Sequence, residues 1–259
     1  MGNLFQYNET QLLAFVLVMV RMGIFLGLWP VLGTNNIPKN LKVILALVVS
    51  MVIFPLVGWQ QIATQIDSNM IIWLVAKEVG VGMVLVFMTH LIFQTVQVCG
   101  EIVSVSMGLS SAQTLNPVSG SRESIISQFQ LLLVSVFFLT INGHHVFFSG
   151  LMQSYELVPL GEDAISLISG KDLAHILQLV CEIGLKLSAP VLAAMFFSNI
   201  AMAIIGRAVP QINILITSFP VNILLGFVIL IVTVPAFLYG FKSSIDIVMD
   251  DLFTVLKSM

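Results

Sequence analysis

Several ionisable residues in this sequence sit inside apolar runs. Arg21 lies within MVRMGIF, Lys77 and Glu78 within WLVAKEVGVG, and Glu182 and Lys186 within CEIGLKL, while Glu101 heads GEIVSVSMGLSSAQTLNPVSGS. An ionisable group in such a run is costly and marks function by default. The chemistry open to these groups is charge pairing between helices, a polar lining for a path, or a proton relay. Glu182 and Lys186 are four apart with the acid first, the favourable order on one helix face, and read as a helix-end pair near the headgroups. Lys77 and Glu78 read either as a buried polar contact with another chain or as snorkelling side chains. His144 and His145 are adjacent in TINGHHVFF, so on a helix they point roughly 100° apart and make a poor metal site. Asn142, Gly143 and His144 instead read as polar packing or a bend. HExxH, Walker and GxSxG patterns are absent from the sequence, so the expectation is no enzyme, no cofactor and no metal.

The elements that must position these groups follow from composition. Of 259 residues, 58% are hydrophobic and 9% charged, against about 25% charged in a soluble domain. Such a chain cannot cover a water-exposed surface, so a bilayer or a large assembly must act as its solvent. The net charge of −3, with no basic patch, argues against nucleic acid as a partner. Cys99 and Cys181 read as packing thiols rather than a disulfide. MGNLFQYNETQLLAF has no basic n-region and no small-residue cleavage site, so it is not read as a removable signal peptide.

Six apolar blocks run about 11–33, 43–57, 71–98, 129–152, 175–206 and 213–241. All read as helix, because backbone polar groups in lipid must be satisfied within the segment. Short loops at 34–42, 58–70, 99–128, 153–174 and 207–212 separate them. The last segment, 242–259, sets Ile245, Val248, Met249, Leu252, Val255 and Leu256 opposite Asp246, Asp250 and Lys257, the pattern of an amphipathic helix. Lys39, Lys42 and Arg207 put the first and fifth loops in the cytoplasm. Block 43–57 reaches only about 22 Å as a helix, against a hydrocarbon core of about 30 Å. Pro190 and Pro235 fall inside the fifth and sixth blocks, where proline bends a helix and needs neighbours to re-satisfy the freed carbonyl. These features predict helices packed against others rather than six independent spans.

The polar stretch near the middle has two halves. Gly100, Ser104, Gly108 and Ala112 recur every fourth residue, a small-residue face if helix continues past 98. Beyond it, LSSAQTLNPVSGS cannot remain helical, because Ser and Asn compete for the backbone and Pro117 disfavours helix at Asn116. It reads either as a cytoplasmic loop or as a polar segment lining or blocking a channel.

IPKNLKVILAL at 37–47, GEIVSVSMGLSSAQTLNP at 100–117, LTINGHH at 139–145 and RAVPQINILITSFPV at 207–221, in that order, resemble the FliR family of flagellar export-gate proteins, called SctT in injectisomes. SAPVLAAMFFSNIAMAIIG and VPQINILITSFP, followed by an apolar run and an amphipathic tail, also look like the two-helix FliQ subunit, and the earlier part is similar in plan to FliP. Ser218 stands where the family often has Gly, and Asn116 where Asp is common. The resemblance implies an all-α membrane protein of bent helical hairpins, with a FliP-like part at 1–174 and a FliQ-like part at 175–259. It implies one copy in an inner-membrane export gate with FliP and FliQ, wrapped by FlhB at its entrance, through which unfolded substrates pass. It implies a plug loop at 106–123, with Met107, Gly108, Leu109, Ser110, Ser111, Ala112, Gln113, Thr114, Leu115, Asn116 and Pro117 at the matching positions. Lys77, Glu78, Glu101, Arg207 and Gln211 become candidates for subunit contacts or for the gate's inner surface. The alternatives are a secondary transporter of a small solute or ion and a non-conducting membrane scaffold.

Overall fold

A computed structural model of the chain describes residues 9–30, 38–58, 71–109, 124–160, 170–211 and 213–258. Every regular element among these is helical. The helices are α1 (Glu9–Leu28), α2 (Lys39–Ile53, continued by a 3-10 turn, Phe54–Leu56), α3 (Ile71–Ser106), α4 (Ile125–Thr140), α5 (Gly143–Leu157), α6 (Gly170–Ala208) and α7 (Ile214–Ser258). The all-α class expected from the sequence is what the backbone adopts.

Several boundaries differ from the blocks, each for a local reason. Helix α2 begins at Lys39, directly after Pro38, because proline suits a helix start, where its missing N–H costs no hydrogen bond. With the 3-10 turn, the apolar stretch Lys39–Leu56 reaches 18 residues, so the expected short block gains a turn. Helix α3 runs eight residues past the expected end at 98. The fourth block is split in two at Ile141 and Asn142. Asn142 takes a φ of 56°, a left-handed conformation that asparagine tolerates, and this is the bend read from Asn142-Gly143-His144. The sixth block and the tail form one helix of 45 residues that passes through Pro220 and Pro235. Ile245, Val248 and Met249 are buried and Asp246 is exposed, as the amphipathic pattern requires.

Among the described residues, five helical stretches are long and apolar enough to cross a membrane, or six if the α4 and α5 pair counts as one. The residues group into two compact units. One holds 1–91, 143–173 and 248–259, and the other 92–142 and 174–247. In the first, Phe25, Trp29 and Phe148 form an aromatic cluster, with Phe25 and Trp29 stacked at 5.8 Å. His90 donates from Nε2 to the Leu28 carbonyl at 2.8 Å. In the second, the Phe93 ring packs against Phe138 and Phe241. Asn222 joins α7 to α6 by accepting from Ser198 at 2.8 Å and donating to Asn199 at 3.0 Å, an interhelical polar tie suited to apolar surroundings. Cys99 is buried and Cys181 exposed, and both are free thiols.

Candidate functional site

The first unit contains a fully buried ionic centre. Arg21 on α1, Lys77 and Glu78 on α3, and the end of α5 meet there, with relative exposures of 0%, 0% and 1% for the three charged residues. Arg21 Nε donates to Glu78 Oε2 at 2.6 Å. Its Nη1 donates to the Ser154 carbonyl at 2.9 Å and the Ser154 hydroxyl at 3.2 Å, and Nη2 donates to the Val158 carbonyl at 3.0 Å. Lys77 Nζ reaches the Pro159 carbonyl at 3.4 Å. The Arg21 guanidinium also lies 4.2 Å above the Tyr155 ring, and Tyr155 donates its hydroxyl proton to the Val18 carbonyl at 3.2 Å.

This arrangement follows from how α5 ends. The last carbonyls of a helix have no intrahelical donors and carry the negative end of its dipole. Here the Ser154 carbonyl already accepts the Val158 N–H at 3.0 Å, so Arg21 adds a second donor there. The Val158 and Pro159 carbonyls, just past the helix end at Leu157, receive theirs from Arg21 and Lys77. The guanidinium fork can serve several acceptors at once. Glu78 then offsets one of the two charges. Its other oxygen, Oε1, is buried without a hydrogen-bond partner among the described residues. Lys77 and Glu78, read from the sequence as contacts with another chain or as snorkelling side chains, therefore lie sealed inside this one. The sequence could not show that an arginine 57 residues earlier would fall opposite Glu78.

The second unit holds the approaches to the polar stretch. Glu101, on the last turns of α3, accepts the Ser124 backbone N–H at 2.8 Å and the Ser127 hydroxyl at 3.2 Å through Oε1. Ser124 is the N-cap of α4 and accepts the Ser127 N–H at 3.0 Å, satisfying a donor that the helix leaves free. The Ser127 hydroxyl is shared with the Gln97 carbonyl at 3.0 Å. All of this requires α3 and α4 to touch. They do so at Gly100, where a Cβ would collide with the Cα of Ser127. Glu101 thus binds the far end of the stretch it heads.

The near end is shaped differently. Gly108 has a φ of +81° and its N–H donates to the Val105 carbonyl at 3.0 Å, so glycine ends α3 in the left-handed geometry that favours it. The four-residue small-residue pattern therefore works as a helix face at Gly100 and at Ser104, which is fully buried, but not at Gly108. Met107 is fully buried. Leu109 is half-buried. Ser110 to Pro117, and Ala112 with them, lie outside the described residues. Arg207, in the last turn of α6, and Gln211 are exposed. The Arg207 charge complements that helix terminus. Glu182 and Lys186 form their expected pair at 2.6 Å on an exposed face.

An apolar cavity of about 310 Å³ lies in the same unit, lined by Val103, Ile126, Phe129, Leu187, Leu230 and Phe237 among others. Sequence reasoning missed the parts played by Arg21, Ser124 and Ser127. A serine just before the apolar run at 125 was an available cap signal, whereas nothing local marked Ser154 or Val158 as acceptors.

The fold and its polar centres define the class as an all-α membrane protein whose polar residues are held between helices. The family model described as bacterial export proteins, family 1, matches residues 12–247, and the chain belongs to that family. It is 27% identical over 223 residues to the flagellar biosynthetic protein FliR of Bacillus subtilis, covering 85% of each chain. It is 26% identical to FliR of Escherichia coli, over 80% of this chain and 78% of that one. It is 28% identical to FliR of Buchnera aphidicola subsp. Acyrthosiphon pisum, over 93% and 94%. The chain is thus a membrane-embedded flagellar biosynthesis export protein.

Two outcomes follow from the polar centres. Glu78→Ala leaves Arg21 buried without its counter-charge and should lower stability by roughly 3–5 kcal/mol, whereas Arg21→Met with Glu78→Leu should cost less than the sum of the two single changes. Thermal melting of the detergent-solubilised protein checks both, and simple additivity contradicts a coupled pair. Glu101→Ala strips the acceptor from Ser124 and Ser127 and should cost about 1–3 kcal/mol, while Glu101→Gln retains an acceptor oxygen and should lose clearly less. Melting, together with amide exchange at Ser124, reads the difference.

Proposed function

We propose that this protein is a subunit of the flagellar type III export gate in the bacterial inner membrane. With FliP and FliQ homologues it forms the conduit for unfolded export substrates, with an FlhB homologue at the cytoplasmic entrance and a single copy of this chain per complex. Catalysis and cofactors play no part. The chain is divided into a FliP-like part, 1–174, and a FliQ-like part, 175–259. The loop 106–123 contributes the plug of the closed pore through Met107 to Pro117. Arg207 and Gln211, exposed at the end of α6, contact neighbouring subunits.

One observation carries the reading. The polar stretch begins and ends on two helices packed backbone to backbone at Gly100 and Ser127, with Glu101 binding the residues where it ends. A loop fastened in this way can occupy a conduit without drifting into it. Its small and polar residues give cargo little apolar surface to bind. Broad apolar exposure supports an assembly or lipid surround. Phe197, Leu224, Ile231 and Val232 are each at least 68% exposed, far beyond what a lone soluble chain tolerates.

Co-purification in mild detergent with FliP and FliQ homologues should yield one stable complex whose intact mass contains a single copy of this chain. A monomer by mass, with solute flux of its own, contradicts the gate reading. Deleting residues 110–116 should raise the conductance of the closed complex in planar bilayers while leaving assembly intact. Unchanged conductance with normal assembly removes the plug from the proposal.

A further inference from the structure

We propose that the cavity of the second unit seats a tryptophan side chain from a neighbouring polypeptide, whose indole N–H donates to Gln130 Oε1. The source of that side chain rests on the assembly reading above, but the chemistry of the site does not. Residues of α3, α4, α6 and α7 surround a space of about 310 Å³. Val103, Ile126, Gln130 and Val191 in its wall are each at most 4% exposed. Ile125, Phe129, Phe227 and Ile231 also line it and are exposed, which marks its mouth. Two polar side chains stand in the wall among the described residues. Thr233 donates its hydroxyl to the Ile229 carbonyl at 2.8 Å. Gln130 Oε1 is buried and has no hydrogen-bond partner among the described residues.

That one atom selects the occupant. A buried acceptor without a donor is costly in apolar surroundings. Water is a poor answer, because a buried water needs two to four polar partners and an apolar cavity of about 150 Å³ stays dry and takes up benzene. The occupant must join an apolar body to a single donor. A lipid acyl chain has the body and lacks the donor, so it would leave Oε1 unpaired. Indole has a bicyclic apolar ring, one N–H and no acceptor that would itself go unpaired. The cavity has about twice the room that a benzene needs, and Phe129, Phe227 and Phe237 give an indole rings to pack against. The mouth identifies the source. Ile125 and Ile231 are 72% and 71% exposed, so the opening lies on a face that lipid or protein covers, and the occupant comes from that cover. A buried aromatic anchor in a pocket is the usual centre of such a contact.

The first test needs only the full chain in mild detergent, melted with increasing 3-methylindole or 1,3-dimethylindole, which lacks the N–H. 3-Methylindole should raise the melting temperature saturably, with an apparent affinity at least fivefold tighter than that of its methylated analogue. Gln130→Leu should bring the two probes to the same affinity. Equal affinities in the wild type, a preference that survives Gln130→Leu, or no saturable shift overturns the site. The second test uses the complex with FliP and FliQ homologues, carrying p-benzoylphenylalanine in place of Phe129. Irradiation should link this chain to a neighbouring subunit at or next to a tryptophan, and 3-methylindole should no longer stabilise the assembled complex. A lipid adduct alone, a link within the chain, or undiminished 3-methylindole stabilisation overturns the neighbour's tryptophan as occupant. If no complex forms, the gate reading falls and takes that occupant with it, whereas the indole preference of the isolated chain is decided by the first test alone.

Discussion

In surroundings this apolar, a polar group has to find its partner within protein, and that constraint governs each feature of the chain that bears on function. Where water is absent, an unpaired charge or backbone group is expensive. The end of α5 shows the result. The carbonyls of Val158 and Pro159, just past that end, take donors from Arg21 and Lys77, and Arg21 adds a second donor to the Ser154 carbonyl. Glu78 is there because two buried cations cannot stand together without an anion. Removing both charges is therefore a milder perturbation than removing one.

The same constraint acts on the second unit with a different outcome. Glu101 is only partly buried, and it spends its carboxylate on the cap of α4. Ser124 and Ser127 are short enough to let α3 and α4 meet at a glycine, and polar enough to answer the carboxylate that the contact brings near. A larger residue at 100 would separate the helices, and a non-polar residue at 127 would leave Glu101 with one donor fewer. Close approach and polar satisfaction are two requirements met by one set of small residues.

How much of this could be read in the sequence depends on the range of the interaction. Local chemistry was legible. The break at Asn142, the Glu182–Lys186 pair and the amphipathic run through Val248 and Met249 are all encoded within a turn or two of chain. So was the all-α class, which composition and the lipid requirement force. The second helix starts earlier than the apolar block because Lys39, Asn40 and Lys42 carry no apolar signal, although Pro38 just before them is a helix-start residue. The ionic centre was not legible as a centre. Arg21 and Glu78 were each conspicuous, but their meeting, and the carbonyls that hold Arg21, depend on which helix faces pack together. Gly108 misled in the opposite direction. Its four-residue spacing from Ser104 fits a helix face, but its freedom at positive φ is used to end the helix.

The two ends of the polar stretch are secured by unlike means. At the far end the Glu101 carboxylate accepts from Ser124 and Ser127, and Gly100 lets the α3 backbone approach that of α4 beside them, so polar satisfaction and close packing act at the same place. At the near end the means are conformational. Met107 is fully buried, and Gly108 takes a φ of +81°, a geometry that any residue with a Cβ resists, so α3 stops there by backbone preference rather than by a carboxylate.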